Sequence, residues 1–213
     1  MFISELHSNI PISAPGYCTF QHRECPGGGL AALVSHALAP QLTKVDLSCM
    51  NQCWIELDDL PNVAIVGCYL PPPDSPYFSI EYLATLQSRV ISSEKHIIIV
   101  GDLNARCGER IRELTIEKPL LSYPHLPDPV RPPKSNGKAL LEFCKNTNTT
   151  IINNLKTTSS HFRGSLTFKK RNRWISELDL AITSTSLIDC IVDLVLNTSD
   201  RMPSDHAALS LSV

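Results

Sequence analysis

The chain has 213 residues, a formal net charge of −2, and 43% hydrophobic against 19% charged residues, a balance that packs a core and excludes a disordered chain. That charge excludes a wholesale polyanion-binding surface and leaves room only for a local basic patch. No apolar run approaches the roughly 18 residues of a membrane span, and FISELHSNIP after Met1 has neither the basic start nor the apolar stretch of a secretory signal, so neither a membrane partner nor a leader is expected.

In chain order, the first element is Phe2-Ile-Ser-Glu-Leu6, a short apolar strand broken by Glu5; taken alone, Glu5 reads as an exposed terminal carboxylate. Val63 to Tyr69, His96 to Val100, Thr150 to Asn153, Leu178 to Ile182 and Ala207 to Val213 are rich in Val, Ile and Leu and predict strands. The spacing predicts helices over Ser79 to Ile91 and over Gly137 to Asn146, where Ala139, Leu140 and Phe143 share a face. Proline gathers at Pro71 to Pro73 and again from Pro119 to Pro133, and the second stretch predicts a long loop. With no repeat and no break in composition, residues 1–213 read as one domain, a mixed sheet or sandwich with helices on its outer faces.

The cysteines at 18, 25, 49, 53, 68, 107, 144 and 190 are scattered through apolar or mixed segments. The one short pair, Cys49 and Cys53, lacks a second pair or histidine pair at zinc spacing. Reduced thiols packed as small apolar groups, in an intracellular compartment, are expected.

Four segments can carry chemistry. In His96-Ile-Ile-Ile-Val-Gly-Asp-Leu-Asn104 a buried strand ends at Gly101, and the strand period of two points Asp102 and Asn104 to one face. There a carboxylate and a carboxamide can share a reaction centre; the same residues also suit an Asx turn that caps backbone groups. Pro203-Ser-Asp-His-Ala207 precedes the last strand; Asp205 and His206 form an orienting pair or a polar turn, and His206 can also meet a remote carboxylate or a phosphate oxygen. Asp179, within Ser176-Glu-Leu-Asp-Leu-Ala-Ile182, either faces solvent on an alternating strand or is buried and needs a histidine or metal partner. From His161 to Trp174 the chain reads HFRGSLTFKKRNRW, basic residues interleaved with aromatics, which suits a nucleic-acid strand or a solvated hairpin.

Taken together, Glu5, GDLN, SELD and SDH in that order resemble the endonuclease/exonuclease/phosphatase superfamily, and within it the endonuclease domains of non-LTR (LINE-type) retrotransposons. Pro15-Gly-Tyr17 with Gly27-Gly-Gly-Leu-Ala31 resembles a hairpin of that subgroup, Cys68-Tyr-Leu-Pro-Pro72 its Y-x-P-P strand end, and Ser135-Asn-Gly-Lys-Ala-Leu-Leu-Glu-Phe143 its G-x-x-L-x-x-F helix. The resemblance implies a four-layer αββα sandwich of two mixed β-sheets flanked by helices, an α+β fold. It implies a Mg²⁺-dependent (or Mn²⁺-dependent) phosphodiesterase that nicks one strand of target DNA, in a longer polyprotein with a reverse transcriptase, nuclear where it acts on genomic DNA. The alternatives are a catalytically inactive remnant and a phosphatase acting on a small phosphoester.

Carried over by position, the resemblance makes Asp102, Asn104, Tyr69, Asp179 and His206 catalytic, and Glu5 and Asp205 metal ligands. It places Arg163, Thr167, Lys169, Lys170, Arg171, Arg173 and Ser176 against DNA. Members usually begin with a strand carrying a metal-site asparagine, then a helix and a strand ending in the glutamate. Here Met1 stands almost on Glu5, so a domain lacking that first strand and helix is expected, from a truncated reading frame, a polyprotein fragment or a decayed element.

Overall fold

A computed structural model describes residues 1–6, 11–22, 28–114, 116–118, 121–123, 135–153, 155, 166–171, 173–198 and 204–213. The chain forms two compact units, Met1–Leu103 and Asn104–Val213.

The first unit contains β1 (Phe2–Leu6), β2 (Tyr17–Gln21), β3 (Gly29–Ser35), β4 (Leu42–Asp46), β5 (Gln52–Leu57), β6 (Val63–Cys68), α1 (Glu81–Ser92) and β7 (His96–Asp102). β3 pairs antiparallel with both β1 and β2, making one small sheet. β4, β5 and β6 follow each other antiparallel, and β6 pairs parallel with β7. A parallel pair cannot be closed by a hairpin, and the connection here carries α1.

Alternation along β5 divides its residues between two neighbours. Cys53, Ile55 and Leu57 meet Leu30, Ala32 and Val34 of β3 in the core. Each buried Ile or Leu there contributes about 1.5–3 kcal/mol. On the opposite face Arg89 of α1 lies 4.6 Å over the Trp54 ring and pairs with Asp46 at 2.6 Å, while Lys95 pairs with Glu56. Helix, sheet and sheet therefore stack as three layers within this unit. α1 buries Leu86 and Val90, one turn apart, and starts two residues later than the sequence predicts because the Ser79 hydroxyl accepts from the Glu81 N–H in the preceding turn.

The second unit contains β8 (Ile116–Lys118), β9 (Leu121–Tyr123), α2 (Ser135–Thr147), β10 (Thr149–Ile151), β11 (Phe168–Lys170), β12 (Arg173–Ser176), β13 (Asp179–Ser184), β14 (Asp193–Asn197) and β15 (Ala208–Ser212). Four antiparallel pairs join them: β8 with β9, β10 with β13, β11 with β12, and β14 with β15. α2 begins before its expected start at Gly137. That glycine lies so close to the Arg106 carbonyl that a Cβ would land on it, so Gly137 serves the packing of a helix already begun at Ser135. The expected loop from Pro119 to Pro133 is corrected in part: Leu121–Tyr123 pairs with Ile116–Lys118, while residues 119–120 and 124–133 lie outside the described residues.

Among the described residues no helix is long and apolar enough to cross a membrane. Cys18, Cys49, Cys53, Cys68, Cys107, Cys144 and Cys190 are free thiols, while Cys25 lies outside the described residues. Burial pushes the Cys53, Cys68 and Cys144 thiols up to about 12, helped at Cys53 by the Asp46 carboxylate and at Cys68 by that of Asp102.

Candidate active site

In the first unit, candidate residues gather where strands end. Glu5 sits inside β1 at φ 58°, at an irregularity in the β1–β3 register between Ile3 and Leu6. A bulge of this kind re-aims a side chain out of the regular alternation, which a strand pattern read from sequence cannot foresee. Tyr69, 3% exposed, follows the last residue of β6 and donates its phenolic hydrogen to Glu5 Oε1 at 3.1 Å.

Asp102 ends β7 and is 1% exposed. Its carbonyl accepts from the Leu70 N–H at 2.9 Å, so the carboxyl ends of the parallel strands β6 and β7 carry Tyr69 and Asp102 side by side in the ladder. Gly101, at φ 149°, makes this approach feasible: a Cβ there would land on the Cys68 carbonyl. Ligand sites of open sheets lie at such carboxyl ends.

In the second unit, Asn104 has φ 45° and lies outside β7. The expected same-face alternation of Asp102 and Asn104 therefore does not apply, because it requires extended backbone through residue 104. Glu5 and Asn104 both hold a left-handed backbone costly for residues other than glycine, a form of strain that clusters at functional positions.

Asp179 opens β13, 8% exposed, with Oδ2 2.9 Å from His206 Nδ1. The buried alternative for Asp179 is the observed one, and His206 is the partner that its burial demands. A carboxylate only accepts, so this contact puts a ring proton on Nδ1. The Phe168 ring packs on the imidazole at 5.0 Å between centroids, and the His206 N–H donates to Ser204 Oγ. Asp205 points its side chain to the surface while its carbonyl accepts from the Lys169 N–H at 2.8 Å.

The basic strip folds as the β11–β12 hairpin. Lys170, Arg171 and Arg173 are exposed and line an open depression with Ile175, and Lys169 Nζ lies 5.5 Å over the Trp174 ring. Thr167 and Ser176, expected against DNA, do not reach the surface: they are 0% and 1% exposed. Thr167 Oγ1 accepts from the Leu178 and Asp179 N–H groups, and Ser176 Oγ accepts from Arg106 at 2.8 Å. Arg163 lies outside the described residues.

Two residues of this neighbourhood escaped the sequence reading. Asn153, 0% exposed, bonds the backbone of β13 on both sides of Leu180, and its only signal was an amide at the end of an apolar run. Arg106 is an 8% exposed cation within the buried run Ala105 to Cys107, where a charged residue is out of place on a coil read as polar.

Solved structures that resemble the chain include the following three. The 3′ phosphatase NExo from Neisseria bound to a product DNA hairpin has a TM-score of 0.66 at 15% identity, over 99% of this chain and 87% of that one. The AP endonuclease LMAP from Leishmania major has a TM-score of 0.64 at 15% identity, over 92% and 70%. The endonuclease domain of TRAS1, a telomere-specific non-LTR retrotransposon, has a TM-score of 0.58 at 18% identity, over 92% and 77%. They share with this chain the endonuclease/exonuclease/phosphatase fold, an α+β class with two mixed sheets and few helices. No curated protein matches the chain. Residues 63–210 match the family described as endonuclease-reverse transcriptase, and with more than half of its length so matched the chain belongs to that family of nucleases.

Proposed function

We propose that this protein is a Mg²⁺-dependent endonuclease that nicks one strand of DNA, as the nuclease part of a retrotransposon, with 1–213 acting as a single domain. The Asp179–His206 pair at 2.9 Å is the observation that carries the reading. A buried carboxylate on Nδ1 fixes one tautomer and aims Nε2 as the nitrogen to meet a phosphoryl oxygen. The family match supports the single domain, because residues 63–210 run across the division at Leu103.

A divalent cation fits the donor set. Glu5 and Asp205, both exposed, would offer it hard carboxylate oxygens. Held there, Mg²⁺ (or Mn²⁺) would supply positive charge against the phosphoryl group. The chain's own residues do the rest. Asp102 accepts a proton from the attacking water and Asn104 orients it; the new P–O bond forms as the bond to the leaving sugar oxygen breaks. As the imidazolium, with its Nδ1–H on Asp179, His206 donates its Nε2–H to the phosphoryl group as charge develops there. Tyr69 holds Glu5 in place.

Lys169, Lys170, Arg171 and Arg173, with Arg163 from the same segment, would track the phosphate backbone of DNA. Thr167 and Ser176 support that hairpin from inside. The family match supports a reverse transcriptase in the same polyprotein, and genomic DNA as substrate would require action in the nucleus. A second reading, removal of a 3′ phosphate from a DNA end, is favoured by the likeness to the Neisseria 3′ phosphatase. Both are read in one assay. Wild type with Mg²⁺ should convert supercoiled plasmid to open circles, EDTA should stop it, and His206→Ala and Asp205→Ala should be slower by about 10²-fold or more. Equal nicking by wild type and these variants sinks the nuclease reading; release of phosphate from a 3′-phosphorylated hairpin without nicking favours the second.

A further inference from the structure

The backbone of Asp179 is gripped by side chains at both of its polar groups. Thr167 Oγ1 accepts from the Asp179 N–H at 2.9 Å, and from Leu178 N–H at the same distance. Asn153 Nδ2 donates to the Asp179 carbonyl at 3.0 Å, and Asn153 Oδ1 accepts from the Ala181 N–H at 2.8 Å. Asn153 and Thr167 are both 0% exposed.

These bonds stand where regular pairing runs out. The β10–β13 ladder runs from Thr149 opposite Ser184 to Ile151 opposite Ile182, and one more bond follows from the Ile152 N–H to the Ala181 carbonyl. Beyond that point the Asn153 carboxamide, which carries an N–H donor and a C=O acceptor like a peptide group, substitutes for the missing strand. Thr167 reaches the other member of the pair as well: its carbonyl accepts from the N–H of Ala207, the residue after His206, at 2.7 Å. One residue thus holds the acid through its hydroxyl and the histidine segment through its main chain.

We infer that Asn153 and Thr167 are positioning residues that set the Asp179–His206 distance, an inference resting on the reading of that pair as catalytic. A carboxylate aims an imidazole only when its own backbone is fixed to a fraction of an ångström, and a buried amide and hydroxyl with every bond to backbone supply that rigidity. This explains why Thr167 is an uncharged, buried residue in a strip of exposed cations. Its place in the chain is that of a DNA contact, but its hydroxyl faces inward.

The test uses the full chain and two readouts. The first is the low-field proton signal of the His206 Nδ1–H, which reports the hydrogen bond to Asp179 without any turnover. The second is kcat against KM for plasmid nicking. Thr167→Val removes the hydroxyl at constant shape, Thr167→Ser restores it, and Asn153→Leu removes the amide. We expect Thr167→Val and Asn153→Leu to lose the low-field signal and to lower kcat by about 10–100-fold with KM within about twofold. Thr167→Ser should keep both within about threefold of wild type. A signal retained in Thr167→Val, or kcat unchanged in it, overturns the inference. Should the Val and Leu variants fail to fold, wild-type hydrogen exchange decides: Leu178 and Asp179 amides exchanging as slowly as the β13 ladder support the clamp, and turn-like exchange refutes it. If wild type never nicks DNA but the signal disappears in Thr167→Val, the positioning stands and the nuclease reading falls.

Discussion

Tyr69 donates its phenolic hydrogen to Glu5 Oε1 at 3.1 Å, joining the end of β6 to a bulge in β1. An exposed carboxylate is thereby tied to a tyrosine that is 3% exposed. Tyr69→Phe removes the bond and keeps the ring, so stability should fall by about 1 kcal/mol. With its supporting partner gone, Glu5 should hold the cation less well, and the Mg²⁺ concentration for half-maximal nicking should rise about tenfold. A Mg²⁺ titration of the variant checks both the bond and the assignment of Glu5 as a ligand.

Asp179→Asn keeps the shape of the pair but removes the charge that holds the His206 proton on Nδ1. Turnover should fall by about 10²–10⁴-fold while the circular dichroism spectrum and the DNA affinity stay near wild type. A variant with wild-type kcat would exclude His206 from the chemistry.

Gly101 occupies φ 149° directly before Asp102, and any Cβ there would land on the Cys68 carbonyl, which is backbone and cannot move aside cheaply. Gly101→Ala should cost about 3 kcal/mol or more, seen as a Tm lower by roughly 6–12 °C. A melting curve identical to wild type would show that the close approach of β7 to β6 is not needed.

Cys53, Cys68 and Cys144 have thiols pushed up from 9.0 to about 12, chiefly by burial. In the unfolded chain they ionise near their ordinary value, so the native state binds more protons between the two values. Their contribution to stability is present in full below about pH 9 and is lost as pH climbs toward 12. Denaturant midpoints measured from pH 8 to 11 should fall steadily. At pH 8 iodoacetamide should label exposed Cys190 first and leave these three unmodified.

Neutralising Arg171 and Arg173 removes two exposed cations from the β11–β12 hairpin without touching its buried Thr167 and Ser176. If these arginines each meet a phosphate, Arg171→Ala with Arg173→Ala should weaken DNA binding and reduce the slope of log affinity on log salt by about 1.8. An unchanged slope would place DNA on another surface.

Much of this fold is legible from local pattern. The runs at Val63, His96 and Leu178 become β6, β7 and β13 within a residue or two, and the apolar faces of α1 and α2 match the 3.6-residue period. β5 was missed, although its alternation is regular, because both of its faces are covered: Gln52 and Trp54 are as buried as Cys53 and Ile55. The hairpin at Ile116–Tyr123 was missed because prolines dominate the composition around strands that are only three residues long.

The types of the candidate residues, their chain order and the basic character of the hairpin were determined by the sequence alone, because carboxylate, imidazole and guanidinium chemistry travels with the residue wherever it lies. Tertiary structure decided which groups are bonded to which. Asp179 could have faced solvent, yet burial on β13 drives its carboxylate onto His206. Thr167 could have faced DNA among its charged neighbours, yet its hydroxyl answers two N–H groups that have no strand to pair with. Partners so distant in the chain meet only through packing, and whether a polar group faces water or a buried donor is settled by the unsatisfied bonds around it.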